Sequence, residues 1–431
     1  MVRKDNISLV RYVYCMIILF LPVNVISRTS IYSVTTPDTI WYKYRSFDFS
    51  IFAIPLLIYA FITVKSTFAI PFHKIIIAIG IKDVIFYVIG QNNTAIKFDF
   101  SLYLILIISW AITVIVLNGD YDDEEIPGER FLDCYFLLAF ASIILRFMLR
   151  MTTEGRYGAI GLSVGGTGFF SAVYIIYILY VHEYKKTTPI ILTMAFITLI
   201  LSGQRTNLLF CILFCIPYVI LNMQSKRISV GNRRKALLLR VLLCIGLVAI
   251  CAFLFLDELG VEIQGMSFIT RTLDSVSRLM NNDISGEASV EGRYLSIEAG
   301  LSILKTNILG ITNVFYDLQH RMTRLNYPTY PHSSCLDCAL LWSTPITLFC
   351  ELWLIRLLIK LARKRVGMFW VVLYIQILML LWGSPFLDYP MLFIILLLLS
   401  MARVMLVHDD RILENIDYEY IVSALLQIKN S

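Results

Sequence analysis

Ser202-Gly203-Gln204-Arg205-Thr206 puts an arginine into a very short link between two apolar runs. A guanidinium fork grips a phosphate or diphosphate at two points, so Arg205 is a candidate anion contact. Arg150 and Arg156 offer the same chemistry just past the end of another run, and Arg293 and Arg321 within the long polar stretch 257–332. For Arg271, Arg278 and Arg324, ordinary pairing with nearby acids is the favoured reading. Glu291-Gly292-Arg293 opens a predicted helix. Glycine lets the backbone come close to a ligand, and the amides of a helix N-terminus add anion-binding capacity. The plainer alternative is a loop-to-helix transition with a favourably placed carboxylate. His332 follows two Tyr-Pro pairs, Tyr327-Pro328 and Tyr330-Pro331. An imidazole suits proton abstraction from a sugar hydroxyl, although a lone histidine is more often structural. Tyr327 and Tyr330 suit stacking on sugar faces or anchoring at a membrane interface. Cys335-Leu336-Asp337-Cys338 beside His332 has redox- or zinc-like spacing but no convincing fourth ligand.

The elements that hold these residues are helices in a membrane. The chain is 58% apolar, 16% charged, and has a mean hydropathy of +0.74. A water-soluble domain is nearer half apolar and a quarter charged. Apolar runs at 8–27, 49–64, 74–91, 99–118, 131–149, 160–182, 187–204, 206–223, 238–256, 335–355, 366–384 and 389–407 predict about twelve spans. Lys82 and Asp83 interrupt the third, which predicts a kinked, re-entrant or bundle-facing segment. The short alternating segments of a β-barrel are absent. A net charge of +6 sits mostly in short loops and is not a nucleic-acid signal. Pro22 and Arg28 fit an uncleaved first span better than a secretory signal. Most of the 9 cysteines lie inside apolar runs, which is core usage without a disulfide framework. The glycines at 158, 161, 165, 166 and 168 predict close helix packing or room for a lipid; no nucleotide loop is indicated.

Counting spans puts Lys185-Lys186, the group Lys226 to Lys235, and Lys360 to Arg365 on one side, with both termini. The positive-inside rule makes that side cytoplasmic. Residues 257–332 then face outward. The apolar spacing of Met266, Ile269, Leu273, Val276 and Met280 predicts one amphipathic helix there. A second is expected from near Glu291, burying Leu295, Ala299, Leu301 and Leu304. The organisation is therefore a nine-span bundle over 1–256, an outward loop or lid over 257–334, and three last spans with a short tail over 335–431.

This arrangement resembles the bacterial O-antigen polymerase (Wzy-type) and O-antigen ligase superfamily. The local matches are Gly203-Gln204-Arg205, Glu291-Gly292-Arg293 followed by Asn307-Ile308-Leu309-Gly310, and Pro331-His332-Ser333. Ser343 stands where the ligase pattern has glycine, and Asn307 where it has proline, which weighs against the ligase branch. The resemblance implies an all-α, GT-C-like polytopic membrane protein of the bacterial inner membrane. It implies a metal-independent glycosyltransferase, without cofactor, that uses undecaprenyl-diphosphate-linked glycan repeat units at the outer face. Its expected partners are those lipid-linked units, the lipid bilayer and a chain-length regulator protein. Arg205 and Arg293 would stabilise the departing diphosphate, and His332, or Glu291, would take the acceptor proton. Arg150 and Arg156 would meet the second lipid diphosphate, and Arg321, Tyr327 and Tyr330 the substrate. The competing reading is a lipid-linked oligosaccharide flippase, which should carry mid-membrane charges and short loops.

Overall fold

The computed structural model describes residues 2–20, 54–63, 72–90, 101–119, 128–149, 157–159, 162, 164–224, 230–243, 297–298, 300–305, 308–309, 333–381 and 391–406. Among them every regular element is a helix. They run α1 (Val2–Phe20), α2 (Ile54–Thr63), α3 (Phe72–Gly90), α4 (Ser101–Gly119), α5 (Glu129–Met148), α6 (Val164–Tyr180) and α7 (Thr188–Leu201). After these come α8 (Arg205–Gln224), α9 (230–243), α10 (Ser334–Trp342), α11 (Thr344–Arg363), α12 (Met368–Leu381) and α13 (Met391–Leu406).

Helix α6 is the hub. Its residues from Gly166 to Leu179 are buried, and it packs on α7, α8 and α12. An aromatic series fixes its neighbours: Phe136 stacks on Tyr174 at 4.2 Å, Tyr180 stacks on Trp370 at 5.0 Å, and Phe214 meets Tyr374 edge-on at 5.3 Å. Such pairs add about 0.5–1.5 kcal/mol each beyond the area they bury. Outward faces remain apolar, as at Ile58, Ile62, Leu138, Leu145, Ile190, Leu209, Leu213, Leu352 and Ile355. One described helix, α5, is both long and apolar enough to cross a membrane, and shorter apolar helices surround it.

The basic turns do gather. Lys235 of α9 donates to the carbonyls of Ile178, at 2.9 Å, and of His182. Gly231 lies against Tyr184, Gly367 against the Tyr180 carbonyl, and Lys364 reaches the Leu406 carbonyl at 3.4 Å. The turn after α6, the start of α9, the α11–α12 turn and the end of α13 therefore share one end of the bundle, here called the basic end.

Three expectations change. The run 335–355 is not one helix. The chain reverses at Ser343, whose φ of 106° and ψ of 149° end α10, and Pro345 in the first turn of α11 starts a new helix. Cys335 Sγ lies 3.0 Å from Glu351 Oε1, so α10 folds back along α11 as a hairpin. Helix α3 is one continuous helix through Lys82 and Asp83, which narrows the kinked, re-entrant or bundle-facing readings of that segment without touching the last. In the segment 257–334, Ile303 is buried while Leu301 is exposed, so the buried register of the helix expected there differs from the one predicted.

The Ser343 backbone sits in a region that only glycine occupies cheaply, at a cost of about 1–3 kcal/mol. Its hydroxyl returns little, since it accepts from Ile346 N at a long 3.4 Å, and glycine is nearly as good at an N-cap. Ser343→Gly is expected to stabilise the protein by about 1 kcal/mol, read as a raised Tm in detergent.

Candidate functional site

The Arg205 link is tighter than its sequence suggests. Ser202, fully buried, donates through Oγ to Leu199 O at 2.7 Å, and Gly203 N–H reaches Ile200 O at 2.9 Å. Gly203 takes φ 63°, a left-handed conformation suited to glycine at a helix C-terminus. Helix α8 then begins at Arg205 itself, so this arginine stands at a helix N-terminus whose free amides favour anions. Gly168 of α6 backs the turn: a Cβ there would lie 2.7 Å from Gln204 Cβ and 2.8 Å from Ser202 Oγ. The expected role of the glycine-rich stretch, close packing, is met at this position. Arg146 donates to Gly158 O at 3.0 Å and clips the segment before α6 to the end of α5. The first turn of α8 also holds Asn207, wholly buried, with both side-chain amide atoms unpaired.

Helix α12 connects this turn to the segment after His332. The Tyr374 hydroxyl donates to Asn207 O at 3.4 Å, and further along α12 Ser333 Oγ donates to Leu380 O at 3.5 Å. The first turn of α8, which holds Arg205, thus meets the middle of α12, and Ser333 meets its C-terminal end, about 9 Å further along the helix and away from the basic end. Ile308, in the loop stretch that carries the family resemblance, accepts from Thr344 N at 3.1 Å and so meets the hairpin tip. Of the sequence-predicted residues, Arg205 is described as a backbone position; Glu291, Arg293, Arg150, Arg156, Arg321, Tyr327, Tyr330 and His332 lie outside the described residues.

Inside the hairpin lies a polar group that the sequence reading passed over. Glu351 accepts from Cys335 Sγ through Oε1 and from Gln376 Nε2 at 2.5 Å through Oε2. Cys338, Thr347, Cys350 and Glu351 also line a small apolar cavity, closed by Trp342 and Leu354 of the hairpin and by Ile395 and Leu399 of α13. Cys335 is thereby engaged with a carboxylate and Cys338 is buried in the core, while His332, the third residue of the zinc or redox reading, lies outside the described residues.

A second cluster occupies the basic end. His182 Nε2 lies 3.4 Å from Glu129 Oε1 and 3.7 Å from Asp133 Oδ2. Tyr174 donates to Asp133 Oδ1 at 2.6 Å, and His182 Nδ1 faces Glu183 O at 2.5 Å. Burial pulls the His182 imidazole down, but the bonds to Asp133 and Glu183 O and the two carboxylate charges leave it net above its ordinary value. Burial lowers the neighbouring Lys235 ammonium to about 8. An open cleft lined by His182, Glu183, Tyr184, Asn232 and Lys235 adjoins the cluster.

No protein-family model matches the chain, and no curated protein matches it.

The residues missed had faint signals. Glu129 and Asp133 are four apart at the start of a span, the spacing that puts two carboxylates on one helix face. Glu351 interrupts an apolar run, as Lys82 and Asp83 do, and Ser343-Thr344-Pro345 is a helix-start pattern.

Proposed function

We propose that this chain is a polytopic inner-membrane glycan polymerase of the Wzy type. It would transfer a lipid-diphosphate-linked glycan onto the sugar end of another lipid-linked repeat unit at the outer face. The observation that carries the reading is that the first turn of α8, which opens at Arg205, and Ser333, next in the chain to His332, both bond to α12, at its middle and at its C-terminal end. Both stand away from the basic end, which the positive-inside rule makes cytoplasmic. Aliphatic outward faces on α2, α5, α7, α8 and α11 agree with a lipid surround.

In this reading the anomeric carbon of the growing glycan loses its bond to the lipid diphosphate as the acceptor hydroxyl oxygen bonds to it. Arg205 and Arg293 hold the leaving diphosphate, whose charge grows as the bond breaks. His332, or Glu291, receives the acceptor proton. Arg150 and Arg156 hold the acceptor's own lipid diphosphate, while Arg321, Tyr327 and Tyr330 line the sugar path. The rival reading, a flippase, draws support from Glu351 as an acid within the bundle, but that carboxylate is already bonded on both oxygens.

Deleting the gene in its own host and running the surface glycan on a gel separates the two. The expected result is a single-repeat band with no ladder, restored by the intact gene. Loss of all surface repeats would point to the flippase instead.

A further inference from the structure

The cluster at the basic end turns one histidine nitrogen toward two carboxylates. A carbonyl oxygen only accepts, so the 2.5 Å contact with Glu183 O places a His182 proton on Nδ1. Nε2 then faces Glu129 Oε1 and Asp133 Oδ2, two electron-rich atoms that a neutral imidazole could not satisfy. Glu129 and Asp133 also repel one another as like charges four residues apart on α5. Something positive belongs between the three. Lys235 does not supply it, because its ammonium is committed to the carbonyls of Ile178 and His182.

A second proton on Nε2 is one solution. It would close a charge-assisted bond of about 2.7–2.9 Å with one oxygen. The separations are instead 3.4 and 3.7 Å and shared between two carboxylates. Two donors each about 2.1 Å from one metal ion stand roughly 3.0–3.6 Å apart at ordinary ligand angles. The three ligand atoms all lie within 4.8 Å of one another. The outer contacts also follow the pattern of a metal centre, in which the ligand histidine gives its other N–H to a backbone carbonyl and a ligand carboxylate is itself hydrogen-bonded. Tyr174 binds Asp133 Oδ1 and leaves Oδ2 for the shared position. Tyr177, wholly buried, brings its hydroxyl to Glu129 as Tyr174 does to Asp133, so the second carboxylate also has an outer hydroxyl contact. Its ring packs edge-on against the His182 ring at 6.4 Å, which holds the imidazole in place.

We infer that Glu129, Asp133 and His182 form a binding site for one divalent first-row metal ion of the zinc class, clamping the start of α5 to the turn after α6. One imidazole with two carboxylates is a donor set that such ions accept, and solvent fills the remaining position. Partly exposed carboxylates, at 14% and 24% of their side chains, give the ion a way in. The site lies at the basic end, remote from Arg205, so it is separate from the proposed transfer chemistry and does not depend on it.

The test uses full-length protein in detergent, stripped with a chelator and titrated with Zn²⁺ by calorimetry. Co²⁺ absorption in the visible range reports the coordination. One ion per chain is expected, with visible bands from a nitrogen–oxygen site. Glu129→Gln and Asp133→Asn should each weaken binding at least about 100-fold, and Tyr174→Phe, which removes one hydroxyl and keeps the ring, by about 10-fold. Wild-type protein that takes up no ion saturably would overturn the site and leave an imidazolium ion pair. Equal uptake by the Glu129→Gln/Asp133→Asn double variant would mean an adventitious ion only, with the same consequence.

Discussion

Arg205→Ala is expected to remove the glycan ladder while single repeat units still reach the surface. Removing one preorganised contact to a developing charge slows catalysis by about 10²–10³-fold, and losing an arginine that holds a leaving phosphate slows it more, up to about 10⁵-fold. A ladder needs many transfers per chain, so even the smaller loss leaves the one-repeat band dominant. Arg205→Lys keeps the charge but not the fork, and should give short, faint ladders. Little structural damage is expected from either change, because the turn is held by others: Ser202 on Leu199 O, Gly203 on Ile200 O, and Gly168 closing from α6. The measurement is the gel pattern at matched protein level by immunoblot. A wild-type ladder from Arg205→Ala would remove Arg205 from the site.

The helices were legible because a long apolar run satisfies its own backbone by coiling into a helix, so hydropathy alone reveals it. That is why α3 to α8 begin and end within a few residues of the apolar runs. The basic clusters were legible for a topological reason, and Lys185, Lys235 and Lys364 do lie at one end. Hydropathy is silent on direction, however. The residues on both sides of Ser343 are apolar, so a hairpin and a continuous span read alike; only Ser-Thr-Pro marks the reversal. The register of the loop helix after α9 failed at Leu301 and Ile303 for a related reason, since both are apolar and tertiary contacts choose between them. Of the Glu129–Asp133–His182 cluster only the carboxylate pair could be read, from its spacing of four. Its histidine and its carboxylates come from different elements, and nothing local announces that the turn after α6 returns beside the start of α5. The Arg205 turn lies between: its arginine could be singled out, but its position against α12 could not.

Gly367→Ala is expected to be the most damaging single-methyl addition at the basic end. A Cβ there would stand 2.0 Å from Tyr180 O and 2.9 Å from Tyr180 C. Those are backbone atoms of a helix end, so no rotamer change relieves the clash, and α12 must move by more than an ångström. Its φ is not positive, so the glycine is required for space alone. Moving α12 separates Trp370 from Tyr180 and Phe214, and Tyr374 from Phe214 and the Asn207 carbonyl. Overpacking of this kind costs about 1–3 kcal/mol, and lost aromatic pairs add about 0.5–1.5 kcal/mol each. The sum is a large part of the stability of an ordinary domain. In detergent, the variant should show a strongly lowered Tm or no monodisperse peak on size exclusion. At Gly231, by contrast, an added Cβ meets only the Tyr184 side chain, first at 2.7 Å, which can turn away at smaller cost. If Gly367→Ala instead folds with an unchanged Tm, α12 does not rest on the end of α6. The route from the basic end through Trp370 and Tyr374 to the Arg205 turn would then be wrong, and with it the geometric support for pairing Arg205 with the segment after His332.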